Sequence, residues 1–247
     1  MIGIGLAVNR RGWGGGAGES GLPRPTLNLD FVSNPVVPPG WTFSRATLGS
    51  CFDADGVMKV APASAARFDH DPATREPRGI LLEGGRTNFL LYSNAVEKWT
   101  PFDVTFSTDG ALAPDGATLA RVITETAGGS VVHAVSQNVA LTVGKNNFTY
   151  ANRLRKNGCS AAVLFLGNRN TTEYCRATFD LDTGEVTERS ATGTWWRLVA
   201  ATCVSLGGGW WECRLVGAVN SATEVRCSTY LANGRQIEYT GDGVSGI

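Results

Sequence analysis

The tryptophans come first among the residues whose type and spacing could do chemistry here. Trp195-Trp196 and Trp210-Trp211 are adjacent pairs inside stretches that alternate in the manner of strands. A strand sends successive side chains to opposite faces, so one ring of each pair can fill a core while the other is exposed or lies at an interface. A flat ring offered outward suits the C–H face of a sugar, but packing in a core or against another subunit is the favoured reading. Trp195, Trp196 and Trp210 are therefore candidate glycan or subunit contacts. Within Trp210-Trp211-Glu212-Cys213-Arg214-Leu215, alternation groups Trp211, Cys213 and Leu215 on the core face. Trp210, Glu212 and Arg214 share the other face.

Acid–base and metal chemistry find less support. The only histidines are His70 and His133. His70 precedes Asp71-Pro72 and reads as a turn residue donating to a backbone carbonyl. His133, inside Val131–Val135, reads as a strand histidine with its ring satisfied. There is no GxSxG elbow and no HExxH helix. The carboxylates fall mostly in turns and form no glycosidase pair. No catalytic residue, cofactor or metal is expected.

Arg45, Arg67, Asp69, Asp71, Arg78, Glu83 and Arg86 concentrate charge. A Ca²⁺ site through Asp69 and Asp71 competes with a network of Arg–carboxylate pairs and turn caps tying the irregular segment to the sandwich, which is the favoured reading. Asp53-x-Asp55-Gly56 lacks the later ligands and the closing Glu of a calcium loop. Gly14-Gly15-Gly16 lacks the GK[ST] ending of a phosphate loop. Cys51, Cys159, Cys175, Cys203, Cys213 and Cys227 show no zinc spacing, and most sit in strand-like stretches, where a free thiol acts as a small hydrophobe. They are expected to be reduced.

The elements that would position these residues are β-strands. The 247 residues are 43% hydrophobic and 18% charged, with 31 glycines, a turn-rich composition with enough apolar content for a core. Lys+Arg and Asp+Glu are 22 each, which points away from nucleic acid or an anionic membrane as partner. No run of 18 apolar residues exists, so no membrane insertion is expected. The first residues do not read as a signal peptide, and synthesis in the cytoplasm is the expectation.

Residues 1–25 form a Gly-rich segment without a core of its own. Ile2, Ile4, Leu6 and Val8 alternate with small residues ahead of Arg10, Arg11 and Trp13, a pattern suited to adding a strand to a partner's sheet edge. Residues 26–95 read as short strands between turns, at Leu27–Phe31, Trp41–Ser44, Val57–Val60 and Ile80–Glu83. From 96 to 247 a long series follows: Val104–Phe106, Ala120–Thr124, Val131–Val139, Phe148–Arg155, Ala161–Gly167, Tyr174–Asp180, Thr194–Ser205, Trp210–Val219 and Cys227–Leu231. Turn signals separate them, and helical periodicity is nearly absent. The expected fold is all-β, an antiparallel two-sheet sandwich of jelly-roll type behind an irregular strand-and-turn segment.

Several blocks carry a family resemblance. They include Phe43-Ser44-Arg45-Ala46-Thr47, Phe52–Val57, Ala66-Arg67-Phe68-Asp69-His70-Asp71-Pro72, Pro77-Arg78-Gly79-Ile80-Leu81-Leu82-Glu83 and Arg86-Thr87-Asn88 through Leu91-Tyr92-Ser93. Trp99, Ala113-Pro114-Asp115-Gly116, Val135–Val139, Phe179–Gly184 and Gly209–Arg214 extend them. Together they closely resemble the head-spike/tail-fibre family of phages and prophages over residues 26–247. The resemblance implies a virion appendage with a carbohydrate-binding-module-like sandwich and no catalytic residues. It also implies anchoring to capsid or tail proteins through Ile2, Ile4, Leu6, Val8, Arg10, Arg11 and Trp13. A homo-oligomer, a trimer by preference, and contact with a host-surface glycan are further expectations. Relatives often carry Trp-Tyr where this chain has Trp210-Trp211. They usually continue past the Gly-Asp-Gly-x-Ser-Gly-Ile stretch matched by 241–247, so a further strand, from the chain or a neighbour, is expected there.

Overall fold

Period-two alternation and runs of apolar residues give strands from residue 49 onward. The structure, a computed structural model, describes residues 29–83, 88–108, 111–141, 146–220 and 222–247. The anchoring candidates Ile2, Ile4, Leu6, Val8, Arg10, Arg11 and Trp13 lie outside the described residues, as does Arg86. Four short strands come first: β1 Gly49–Phe52, β2 Met58–Ala61, β3 Phe68–His70 and β4 Pro77–Ile80. A 3-10 turn, Val96–Lys98, leads into β5 Thr100–Phe102, β6 Val104–Ser107, β7 Val122–Glu125, β8 Ser130–Val132 and β9 Ala134–Ala140. Then follow β10 Asn146–Arg155, β11 Ala161–Gly167, β12 Tyr174–Asp180, β13 Val186–Thr192, β14 Trp196–Gly207, β15 Trp210–Val219, β16 Glu224–Ala232 and β17 Glu238–Thr240.

The fold is an all-β antiparallel sandwich. One principal sheet has six strands in the order β13-β12-β11-β16-β9-β5, and the facing sheet has the order β10-β15-β14. Ala161-Ala162-Val163-Leu164-Phe165-Leu166-Gly167 is apolar at every position, and all seven residues of β11 are buried. Such a strand belongs in the middle of a sheet covered on both sides. Its Ala162, Leu164 and Leu166 face the main core with Cys175, Phe179, Val225 and Leu231 from neighbouring strands. Tyr150, Leu154, Cys213, Leu215 and Trp196 close that core from the three-stranded sheet. The Tyr150 hydroxyl is satisfied there by Thr229 Oγ1 at 2.6 Å. Ala161, Val163 and Phe165 point the other way into a second cluster with Ala134, Tyr230 and Ala232.

The segment before the sandwich is stapled by polar groups rather than by a core. Arg67, 5% exposed, donates to the Ser50 carbonyl and pairs with Glu83. Arg45 donates to the carbonyls of Thr47, Ala61 and Pro62. Asp69 accepts from the Phe52 amide, and His70 Nδ1 lies 3.1 Å from the Phe52 carbonyl. The sequence reading expected this network to tie the segment to the sandwich. Its bonds instead tie β1, β3 and the following turn to one another. Links to the sandwich part of the chain run through Leu91, whose amide and carbonyl bond the Gln137 side chain, through Leu90 against the main core, and through the Met58 amide donating to the Pro114 carbonyl.

Several expected strands differ. At 29–31 there is no strand, and a turn forms at 31–33 instead, because Asp30 Oδ1 accepts from the amides of Val32 and Ser33. Leu27 and Asn28 lie outside the described residues. Trp41–Ser44 alternates but pairs with no strand among the described residues, and Trp41 is exposed. The last early strand is Pro77–Ile80, not Ile80–Glu83. Val131–Val139 breaks at His133 into β8 and β9, which join different sheets. β1, β3, β5, β13 and β17 were not expected.

Candidate functional site

Register across the six-stranded sheet assembles a groove on its outer face. Tyr174 and Arg226 both pair with Gly167, from opposite sides of β11. Arg176 and Ser228 both flank Phe165, and Tyr230 stands opposite both Val163 and Ala134. Phe102, on the edge strand β5, also pairs with Ala134. Residues that share a face in register touch across strands, which turns scattered sequence positions into one surface. The result is a cleft of about 330 Å³, at the small end of ligand sites.

Its floor is aromatic. The buried Phe165 ring lies 5.1 Å from Tyr174 and 5.9 Å from Tyr230, centroid to centroid. Gly167 makes room for them. A Cβ there would stand 2.6 Å from Tyr174 Cβ and 2.7 Å from Phe165 Cζ, so any other residue would push the rings apart. Burial raises the pKa of the Tyr230 hydroxyl, which is therefore a neutral donor and acceptor at physiological pH.

Two guanidinium groups flank the floor and both are held. Arg176 donates from Nε to Ser190 Oγ and faces Glu188 Oε1 at 3.6 Å. Arg226 bonds Ser228, Ser136 and the Arg169 carbonyl, and its guanidinium lies 4.9 Å from the Phe102 ring centroid. Glu238 completes the rim. Fixed guanidinium groups and hydroxyls above rigid rings can bind an oxygen-rich ligand without first being ordered.

The tryptophan candidates do not converge. Trp195 is 53% exposed at the turn into β14, where Glu173 Oε2 accepts from its amide and from that of Thr194. Trp196 is only 4% exposed and packs beside Phe148 in the core. It is thus no surface contact, because β14 turns its face to the opposite sheet. Trp210 is half-buried, donating to the Leu112 carbonyl at 3.2 Å beneath Arg155. Glu212 shares the outer face with it, as alternation required, yet is nearly covered by its pairing with Arg153 and Arg214.

No family model matches the chain, and no curated protein matches it. The groove was missed in sequence because its residues lie on β5, β8, β9, β11, β12, β16 and β17, and only cross-strand register joins them. The doublet of aromatic and Arg in Tyr174-Cys175-Arg176, spaced two apart on one strand face, was the available signal. Among the described residues, no group of three or more His, Cys, Asp or Glu side chains is placed to hold a metal. Asp69 is engaged by an amide, and Asp71 by the amides of Ala73 and Thr74 and by Arg78.

Proposed function

We propose that the chain is a non-enzymatic structural subunit of a tailed-phage virion appendage, a head spike or tail fibre. Residues 1–25 hold it to capsid or tail proteins, 26–95 brace the base, and 96–247 form an outward jelly roll of the carbohydrate-binding-module type. The subunit self-associates, most simply as a trimer, and takes part in attachment to the host surface. The observation that carries this reading is the block that resembles the spike and fibre family. Arg67, Asp69, His70 and Glu83, all inside it, are spent on internal bonds to Ser50, Phe52 and one another. Residues used this way brace a mount rather than perform a reaction, and the sandwich beyond them offers a binding surface.

A second reading concerns what that surface does. The aromatic floor and fixed polar rim of the groove favour recognition of a saccharide, with sugar C–H groups against the rings and hydroxyls at the rim. In this reading the domain serves mainly to touch host polysaccharide.

Deletion of residues 1–25 from the phage genome tests the appendage reading. The truncated chain should fold cooperatively and stay soluble, yet be absent from purified particles. Normal copy number in particles would refute the assignment of those residues to anchoring.

A further inference from the structure

Arg226 is the cation that the groove leaves unbalanced. Its counterpart Arg176 has the Glu188 carboxylate at 3.6 Å on the next strand. Among the described residues Arg226 has no carboxylate partner. Its Nε donates to Ser228 Oγ at 3.3 Å, one terminal nitrogen to Ser136 Oγ at 3.2 Å and the other to the Arg169 carbonyl at 3.2 Å. All three acceptors are neutral. A guanidinium carries five N–H groups, so one remains on each terminal nitrogen for a further acceptor. Glu238 stands at the rim, exposed and unpaired with either arginine, where water and salt screen its charge. Ser136 and Ser228 are buried, so the partners that fix the guanidinium are themselves immobile.

A neutral sugar would find rings and hydroxyls enough in this groove and would not need that charge. A carboxylate would gain two charge-assisted bonds to a cation whose orientation is already set, the strongest class of hydrogen bond available here. We infer that the groove takes an acidic saccharide, a uronic or nonulosonic acid unit, with the carboxylate at Arg226 and the sugar ring against the aromatic floor. The inference rests on the saccharide reading above and adds the charge of the ligand to it.

Titration calorimetry on the full chain tests it with galacturonic acid trimer and α2,8-linked N-acetylneuraminic acid trimer. Each is compared with its own carboxyl-reduced, neutral form, and triglutamate serves as a non-sugar anion. At least one acidic trimer should bind about tenfold or more tighter than its reduced form, and this preference should shrink in high salt. Arg226→Gln should abolish the preference in a protein that still folds cooperatively, though it melts below the parent because Ser136 and Ser228 lose a partner. Should the variant fail to fold, the comparison of acidic and reduced trimers still decides, because it changes only the ligand. Equal affinity for acidic and reduced forms would overturn the inference and leave a saccharide groove standing. Binding of triglutamate as tight as the acidic trimers would overturn the sugar as occupant. No binding of any trimer would overturn both readings.

Discussion

The hydroxyl of Tyr239 donates to Glu125 Oε2 at 2.5 Å, joining residues 114 positions apart. The same carboxylate takes the Cys159 thiol at 3.3 Å and the Asp242 amide at 2.8 Å. A buried carboxylate is tolerated only when its oxygens are satisfied in this way. The Tyr239 ring also packs 5.0 Å from the buried His133, whose ring nitrogens face the carbonyls of Asp103 and Tyr239. The cluster thus fastens the 238–242 stretch to β7. Just beyond it, Gly246 and Ile247 pair with Ile123, Asn157 and Cys159.

Removing the hydroxyl strips one donor from Glu125 without changing the shape of the ring. Tyr239→Phe should cost about 1–3 kcal/mol, measured by urea unfolding at neutral pH. Unfolding indistinguishable from the parent would mean that the cluster contributes nothing to stability.

Stability should also fall on both sides of neutrality. The Asp242 carboxyl is held low by the Ser245 amide and hydroxyl, Asp115 by the Thr118 hydroxyl and amide, and Asp180 by the Thr183 amide. Groups depressed in the folded state contribute stability above their unfolded pKa of about 3.9, and lose it as pH falls below that value. Burial pushes the thiols of Cys159, Cys175 and Cys227 up to about 12. Their contribution is complete below about pH 8.5 and is lost as pH rises toward their folded values. Urea midpoints at pH 3 and pH 10 should both lie below the midpoint at pH 7. A midpoint at pH 3 equal to that at pH 7 would contradict the acid limb, and equality at pH 10 the alkaline one.

All six cysteines are free thiols, as the sequence suggested. Cys203 and Cys213 are cross-strand partners with sulfurs 3.6 Å apart. A hydrogen bond from the Cys213 thiol lowers the pKa of Cys203 and raises that of Cys213. Alkylation under denaturing, non-reducing conditions should label six cysteines in the untreated protein. After mild diamide treatment of the folded protein it should label four, with Cys203 and Cys213 joined. Six labels after diamide, or a bond involving another cysteine, would contradict the pairing.

The tryptophans separate architecture from surface. Trp196→Ala should cost about 3–5 kcal/mol, because it empties a core site. Trp195→Ala should stay within about 0.5 kcal/mol of the parent. Trp211→Ala should destabilise more than Trp210→Ala. The Trp211 ring packs on the core, donates to the Leu181 carbonyl and lies over Gly184, where any Cβ would overlap it. Thermal melts of the four variants check the order, and equal losses at Trp195 and Trp196 would overturn it.

Where local pattern and global position agreed, the fold was legible. Ala161–Gly167, Tyr174–Asp180 and Trp210–Val219 have the bounds that the sequence suggested. β13, Val-Thr-Glu-Arg-Ser-Ala-Thr, was passed over because an edge strand needs no clean apolar face. Trp41-Thr42-Phe43-Ser44 has the alternation but no partner strand among the described residues, and alternation alone does not make a sheet. The split at His133 was hidden for a similar reason, since its two carbonyl partners lie 30 and 106 residues away. The groove depends wholly on such long-range register. The one ring of each tryptophan pair assigned to the core by alternation was Trp211, correctly, whereas nothing local distinguished Trp196 from Trp195.

Cryo-electron microscopy of phage particles assembled with this chain, the setting that the proposed function assigns to it, tests the central claim most directly. The account predicts projecting density, with the symmetry of a trimer, into which the sandwich fits pointing outward, with residues 1–25 reaching into capsid or tail. Purified particles that lack the chain, or that hold the sandwich inward with its six-stranded face sealed against the shell, would contradict it.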